Sequence, residues 1–259
     1  MPRLLRDVID RPGITAGTFL VEFATPGIGH ILAGAGCDFV FLDMEHSGFG
    51  IDTLKSALRY CEAADLPVLV RVPSKAYDHV ARAADMGAQG VMVPMLGNAE
   101  QARALVAAGR YPPEGRRGSA FQIAHDRYRP GPAAAKMAAA NRALVLCALI
   151  ETAEGVEQAD AIAATPGIDM LWVGHFDLSA SLGVPAEFDH PRYRAAIAAI
   201  AAAARRHDRP LGRLVTGEAE AREAVADGFR HFAWGGDAWL LQQAVADGVA
   251  LLRGLGDGR

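Results

Sequence analysis

Lysine is nearly missing from this chain: Lys55, Lys75 and Lys136 are the only three among 26 basic residues. An imine-forming catalyst on a parallel-sheet scaffold needs a desolvated lysine at a strand end. Lys55 falls inside a helical pattern, Lys136 in or after an irregular segment, and Lys75 in the polar turn PSKAYD. Imine chemistry is therefore disfavoured. The three cysteines (Cys37, Cys61, Cys147) are odd in number, lack metal-type spacing and lie in apolar surroundings. They read as small buried hydrophobes of a reducing compartment. No apolar run approaches the ~20 residues of a membrane span. The opening MPRLLRDVIDRPG is too polar for a signal peptide, so a soluble cytoplasmic protein is expected. A net charge of -4 gives no electrostatic case for nucleic acid. No GxGxxG or Walker-type loop follows any strand, which weakens a nucleotide-binding reading.

What remains is a regular alternation. Apolar, β-rich runs at 16–23, 37–46, 66–73, 88–96, 144–151, 168–174, 209–217 and 229–236 alternate with helical patterns. The helices are expected at 26–36, 51–65, 77–87, 98–110, 155–164, 190–208, 218–228 and 238–255, with Asn98 a candidate N-cap. A further short helix is expected at 133–143. Residues 111–132, rich in Pro, Gly and Arg, break the pattern, and residues 175–183 read as extended loop. Eight βα units in 259 residues, 51% of them hydrophobic, point to a single (β/α)8 TIM barrel domain over residues 1–259.

Barrel active sites lie at the C-terminal ends of the strands. Strand five ends in Glu151, and strand six runs into Asp177. Joined by one helix, these carboxylates fall on the same edge of a βαβ unit. Hard divalent cations such as Mg²⁺ or Mn²⁺ take such oxygen ligands, completed by water and substrate. The competing reading is two strand-end acids that cap helices or pair with arginines. Strand two contributes Asp43, Glu45 and His46, and strand three Arg71. Asp43, three residues before His46, is expected to hydrogen-bond its ring, fix its tautomer and make it a general base. Arg71 is either an ordinary ion-pair residue or the holder of a carboxylate or developing oxyanion.

At FLDMEHS (41–47), LVRVP (69–73), ADMGAQGVMVPM (84–95), RYPPEGRRG (110–118), LIETAEG (149–155) and GHFDLSASLG (174–183) the chain resembles the HpcH/HpaI aldolase/citrate lyase family. These are metal-dependent (class II) pyruvate aldolases, and the resemblance covers nearly the whole chain. It implies reversible cleavage of a 4-hydroxy-2-oxo acid to pyruvate and an aldehyde. His46 would be the general base and Asp43 its partner. Asp85 would be a second acid supplied across a subunit interface, and Arg71 would stabilise the enolate. Glu151 and Asp177 would ligate a divalent metal ion, Mg²⁺ or Mn²⁺ before Co²⁺ or Zn²⁺. Gly174 and the amides of Phe176 and Asp177 would bind the pyruvate carboxylate. The resemblance also implies a pyruvate-type barrel that exchanges its C-terminal helix within a hexamer, a trimer of dimers. The chain departs from the pattern of the family's hydroxy-oxoheptanedioate aldolases at Leu149, where those carry glutamine, and at His175 and Phe176, where they tend to carry Pro-Ala. Those three positions are where substrate preference is expected to differ, with His175 read as a loop residue.

Two other readings stay open. The same enolate site would serve a lyase of acyl-CoA thioesters or an oxaloacetate decarboxylase, with Arg110, Arg116, Arg117, Arg127 and Arg129 available to a CoA. A non-catalytic barrel that binds a 2-oxo acid would need no basic histidine.

Overall fold

A computed structural model describes residues 3–256; the termini of the expected 1–259 domain, residues 1–2 and 257–259, lie outside the described residues. Eight strands form: β1 (Thr15–Leu20), β2 (Phe39–Asp43), β3 (Val68–Arg71), β4 (Gly90–Val93), β5 (Val145–Ile150), β6 (Met170–Val173), β7 (Leu211–Val215) and β8 (His231–Gly236). Each pairs in parallel with its sequence neighbours, and β8 closes on β1. This is the (β/α)8 barrel that the alternation predicts.

Strand periodicity sorts the core into two layers. Phe39 and Phe41 of β2, Cys147 and Leu149 of β5, and Met170 and Trp172 of β6 fill the barrel interior. Their neighbours Val40, Leu42, Leu146, Ala148, Leu171 and Val173 face the helices. Trp172 is the largest interior side chain, with ring centroids 5.4 Å from Phe41 and 6.4 Å from Phe39. It fits because β7 carries Gly212 opposite, where a Cβ would lie 2.3 Å from the indole. A short helix that the sequence pattern does not predict, Leu5–Ile9, plugs the N-terminal end of the barrel with Leu5, Val8 and Ile9.

Most helices fall where their spacing places them, and the Asn98 side chain caps its helix by accepting from the Gln101 amide at 3.1 Å. The expected helix 155–164 divides into Ala153–Glu157 and Ala159–Ala163. The segment expected as extended loop is instead the helix His175–Ser181. Its seven residues are too few for hydrophobic periodicity to register against the flanking glycines.

The irregular segment 111–132 contains one short turn of 3₁₀ helix, Ala124–Asp126. It is pinned to the N-terminal end of the barrel. Buried Arg110 donates to the carbonyls of Asn141 and Leu144 and pairs with Asp169. Buried Arg117 pairs with Asp85 at 2.5 Å and lies 4.6 Å over the Tyr111 ring. Two of the five arginines considered for a CoA are thus structural, at the end away from the strand C-termini.

The last helix, Asp237–Gly256, begins on a firm anchor. The Asp237 carboxylate accepts from the backbone amides of Val21, Glu22 and Phe23. Trp239 stacks on Phe19, with centroids 5.8 Å apart. Beyond that turn the helix leaves the barrel, exposing Leu241, Val245, Val249 and Leu252. The outer face of β8, which an eighth covering helix would fill, is an apolar groove lined by Ile14, Val225, Phe232 and Trp234. No helix of the described residues is long and apolar enough to cross a membrane.

Candidate active site

The C-terminal ends of the strands open into a cavity of 780 Å³ lined by His46, Arg71, Glu151, Gly174, Phe176 and Asp177, among others. Six of the eight residues named from sequence therefore meet in one place, and Asp43 stands directly behind them.

Asp43 closes β2 and is wholly buried. One carboxylate oxygen accepts from the Glu45 amide at 3.0 Å and from Arg71 Nε at 2.6 Å. The other accepts from the His46 amide at 3.0 Å. An aspartate at a strand end readily folds over the amides that follow it. Asp43 therefore shapes the turn that carries His46 and does not hydrogen-bond its ring, contrary to the sequence expectation. The His46 side chain is 58% exposed, and its Nε2 lies 3.9 Å from Glu45 Oε2.

Arg71 is buried between Phe19 and Phe41, its guanidinium carbon 5.6 and 5.5 Å from their ring centroids. Burial by itself lowers its pKa. The hydrogen bond and charge of Asp43, with the charges of Glu45 and Glu151, outweigh that effect and hold it above the ordinary value. Arg71 Nη1 lies 3.3 Å from Glu45 Oε2. A fixed cation thus faces the cavity from one wall.

Glu151 lines the same cavity. It follows β5, and β6, whose C-terminal end leads to Asp177, is the neighbouring strand, with Ile150 opposite Val173. The close approach is made by Gly174, where a Cβ would lie 2.3 Å from Glu151 Oε2. Glu151 Oε1 accepts from the Met95 amide at 2.6 Å, while Oε2 is buried with no partner. Burial pushes the Glu151 pKa up to about 7; the Met95 amide opposes this, and the charges of Glu45 and Asp177 add to it. A buried carboxylate oxygen with no donor and two further carboxylates nearby is a poor arrangement for a bare protein and a good one for a cation. Asp177, exposed in the first turn of its helix, supplies a second oxygen donor lining the same cavity. Among the described residues no cluster of three or more His, Cys, Asp or Glu side chains has metal-binding geometry. Two carboxylates completed by water and substrate is the pattern that Mg²⁺ favours.

Glu45 joins the site without having been assigned a role from sequence. Burial raises its pKa against the opposing charges of Arg71 and His46. Its position at the end of β2 was the available signal. Leu149 is buried in the barrel and lines the cavity, so this wall presents an apolar side chain to the substrate. Asp85 is not brought to the cavity within this chain. It ends the helix Tyr77–Asp85, which runs back to the N-terminal end of the barrel, and there it pairs with Arg117.

The model of the HpcH/HpaI aldolase/citrate lyase family matches residues 17–244. A hydroxypyruvate/pyruvate aldolase of Chromohalobacter salexigens is 37% identical over 232 residues, 90% of this chain and 91% of that one. A 5-keto-4-deoxy-D-glucarate aldolase of Klebsiella pneumoniae is 35% identical over 222 residues, 86% of each chain. The crystal structure of an HpcH/HpaI aldolase from Desulfitobacterium hafniense aligns over 96% of both chains with a TM-score of 0.90 and 31% identity.

Proposed function

The chain belongs to the HpcH/HpaI aldolase/citrate lyase family, and on that premise we propose how residues 1–259, as one barrel domain, work as an aldehyde-lyase of the pyruvate type. The substrate is a 4-hydroxy-2-oxo acid, cleaved reversibly to pyruvate and an aldehyde. The observation that carries this reading is the unpartnered, buried Oε2 of Glu151, which lines the same cavity as Asp177 and Arg71. Glu151 and Asp177 would hold a divalent cation, Mg²⁺ or Mn²⁺, because the donor set is oxygen alone. Such an ion supplies Lewis-acid polarisation of the substrate's 2-oxo and carboxylate oxygens.

The chain's own residues do the rest. The amides of Phe176 and Asp177, with the close backbone approach that Gly174 allows, orient the carboxylate of the 2-oxo acid. His46, exposed to the cavity, takes the proton of the 4-hydroxyl. The C3–C4 bond then breaks, the aldehyde departs, and the electron pair enters the enolate. Arg71 holds the enolate oxygen against the charge that develops there. A proton returned to C3 completes pyruvate. Asp43 keeps the His46 turn and the Arg71 guanidinium in place, and Glu45 carries a negative charge close to the His46 ring.

The protein is further proposed to assemble as a trimer of dimers that exchange their last helices. The apolar stripe of Asp237–Gly256 and the apolar groove on β8 are complementary halves of such an exchange. Assembly would also allow a neighbouring subunit to bring its Asp85 to this site. Light scattering on the purified protein is expected to give the mass of six chains; a single-chain mass would overturn the exchange.

The acyl-CoA and decarboxylase readings use the same enolate chemistry. The first is disfavoured because Arg110 and Arg117 are buried in structural contacts. Incubation with 4-hydroxy-2-oxo acids, malyl-type thioesters and oxaloacetate, with pyruvate and glyoxylate quantified, separates them. Pyruvate release from the hydroxy-oxo acids alone is expected. Cleavage confined to thioesters would overturn the reading. A non-catalytic 2-oxo-acid binder would take up pyruvate yet leave its methyl protons unexchanged.

A further inference from the structure

Lys75 stands in the turn after β3, and the steps above give it no part. Its amine is nevertheless engaged. Nζ donates to the Met95 carbonyl at 2.7 Å and to Gln101 Oε1 at 3.1 Å. Both acceptors are uncharged amide oxygens, and a charged donor makes such bonds stronger than neutral ones. Lys75 does not itself line the catalytic cavity.

Met95 connects this lysine to the site. Its amide donates to Glu151 Oε1 at 2.6 Å, the one hydrogen bond that the Glu151 side chain accepts among the described residues. Met95 makes both contacts from a left-handed backbone, with φ +55°. A residue with a Cβ enters that region at a steric cost and stays there only where its surroundings over-determine it. The Met95 side chain is 44% exposed, so packing supplies little of that constraint. Hydrogen bonds supply the rest. The Leu96 amide donates to the Leu149 carbonyl at 3.2 Å, and the Gly97 amide to Gln101 Oε1 at 2.9 Å. Gln101 Oε1 therefore takes the Lys75 ammonium and the Gly97 amide together. Gly97 also approaches the segment after Glu151 so closely that a Cβ there would stand 2.6 Å from Glu154 Oε2. The Met95 carbonyl is held from outside this turn, by Lys75.

We propose that Lys75 is a positioning residue for the cation site. It holds Met95 in the left-handed conformation whose amide orients Glu151, and so leaves Glu151 Oε2 turned to the divalent cation. The inference rests on the assignment of Glu151 to that cation. The line of action runs from ammonium to carbonyl, through one strained residue, to amide and carboxylate.

Mn²⁺ titration of the metal-stripped protein, read by the electron paramagnetic resonance of the free ion, tests this. Lys75→Met keeps the apolar stem and removes the donor. Its Mn²⁺ affinity is expected to fall about tenfold, the low end of the cost of losing an outer partner of a metal ligand. Its melting temperature in chelator should stay near that of the parent, because an exposed side chain carries little of the fold's stability. Lys75→Arg, which restores a charged donor, should recover most of the affinity. Met95→Gly separates positioning from a general loss of order at the rim. Glycine enters the left-handed region without the steric cost. In that background Lys75→Met is expected to change Mn²⁺ affinity by less than about threefold, so that the two substitutions are non-additive. A loss in Lys75→Met that Met95→Gly cancels supports the proposal. Parental affinity in Lys75→Met, or the same tenfold loss with and without Met95→Gly, overturns it and leaves the aldolase reading standing. A parent protein that binds no Mn²⁺, or binds it equally well with Glu151→Gln, overturns the cation assignment and the role of Lys75 with it.

Discussion

Arg71→Ala is expected to lower the turnover of 4-hydroxy-2-oxo acid cleavage by about 10²–10³ while divalent-cation binding is retained. The guanidinium is fixed before substrate arrives, held by a 2.6 Å hydrogen bond from its Nε to Asp43 and packed between Phe19 and Phe41. A preorganised cation stabilises charge as it develops without a reorganisation cost. The same packing predicts a structural penalty. Removing Arg71 strands the buried Asp43 carboxylate, which commonly costs about 3–5 kcal/mol. Circular dichroism and Mn²⁺ titration must therefore accompany the kinetics. Arg71→Lys keeps a charge but loses the fork geometry, so it should recover stability more than turnover. A folded Arg71→Ala enzyme with parental turnover removes the residue from the mechanism.

Glu151→Gln is expected to weaken Mn²⁺ binding by at least the ~10–100-fold that losing a mere hydrogen-bond partner of a ligand costs, and to abolish turnover, yet to stabilise the metal-free protein above neutral pH. Stability and activity separate because of the unpartnered Oε2. The Glu151 pKa, ordinarily 4.5, is held at about 7 by burial. Between those values the folded chain binds more protons than the unfolded one, so stability falls as pH rises through that window. At about pH 8 the deprotonated group costs the metal-free fold roughly 1–3 kcal/mol, which the neutral amide relieves. The amide oxygen can still accept from Met95. Thermal melts of both proteins in chelator, at about pH 5 and pH 8, measure this, with the gap expected only at the higher pH. Parental Mn²⁺ affinity in Glu151→Gln would remove the carboxylate from the cation site.

Much of this was legible in the sequence because parallel strands covered by helices are apolar runs, and their ends mark one rim. Glu151 and Asp177 could be placed on one edge from the βαβ pattern alone. The failures are local. Leu5–Ile9 is a single turn whose Arg6 and Asp7 mask its three buried residues. Spacing suggested that Asp43 would reach the His46 ring, but the carboxylate is taken by nearer backbone amides and by Arg71, which comes from another strand. Three-dimensional proximity likewise recruits Glu45. The contacts of Lys75 were invisible because its acceptors, Met95 and Gln101, come from other elements with no motif in common. His175, read as a loop residue, is buried against Phe176 and Phe188.

Retro-aldol activity after exhaustive chelation tests the central claim most directly. With a 4-hydroxy-2-oxo acid as substrate, pyruvate release should fall to background in excess chelator and return on addition of Mg²⁺ or Mn²⁺. Full activity in excess chelator would contradict the assignment of Glu151 and Asp177 to a catalytic cation.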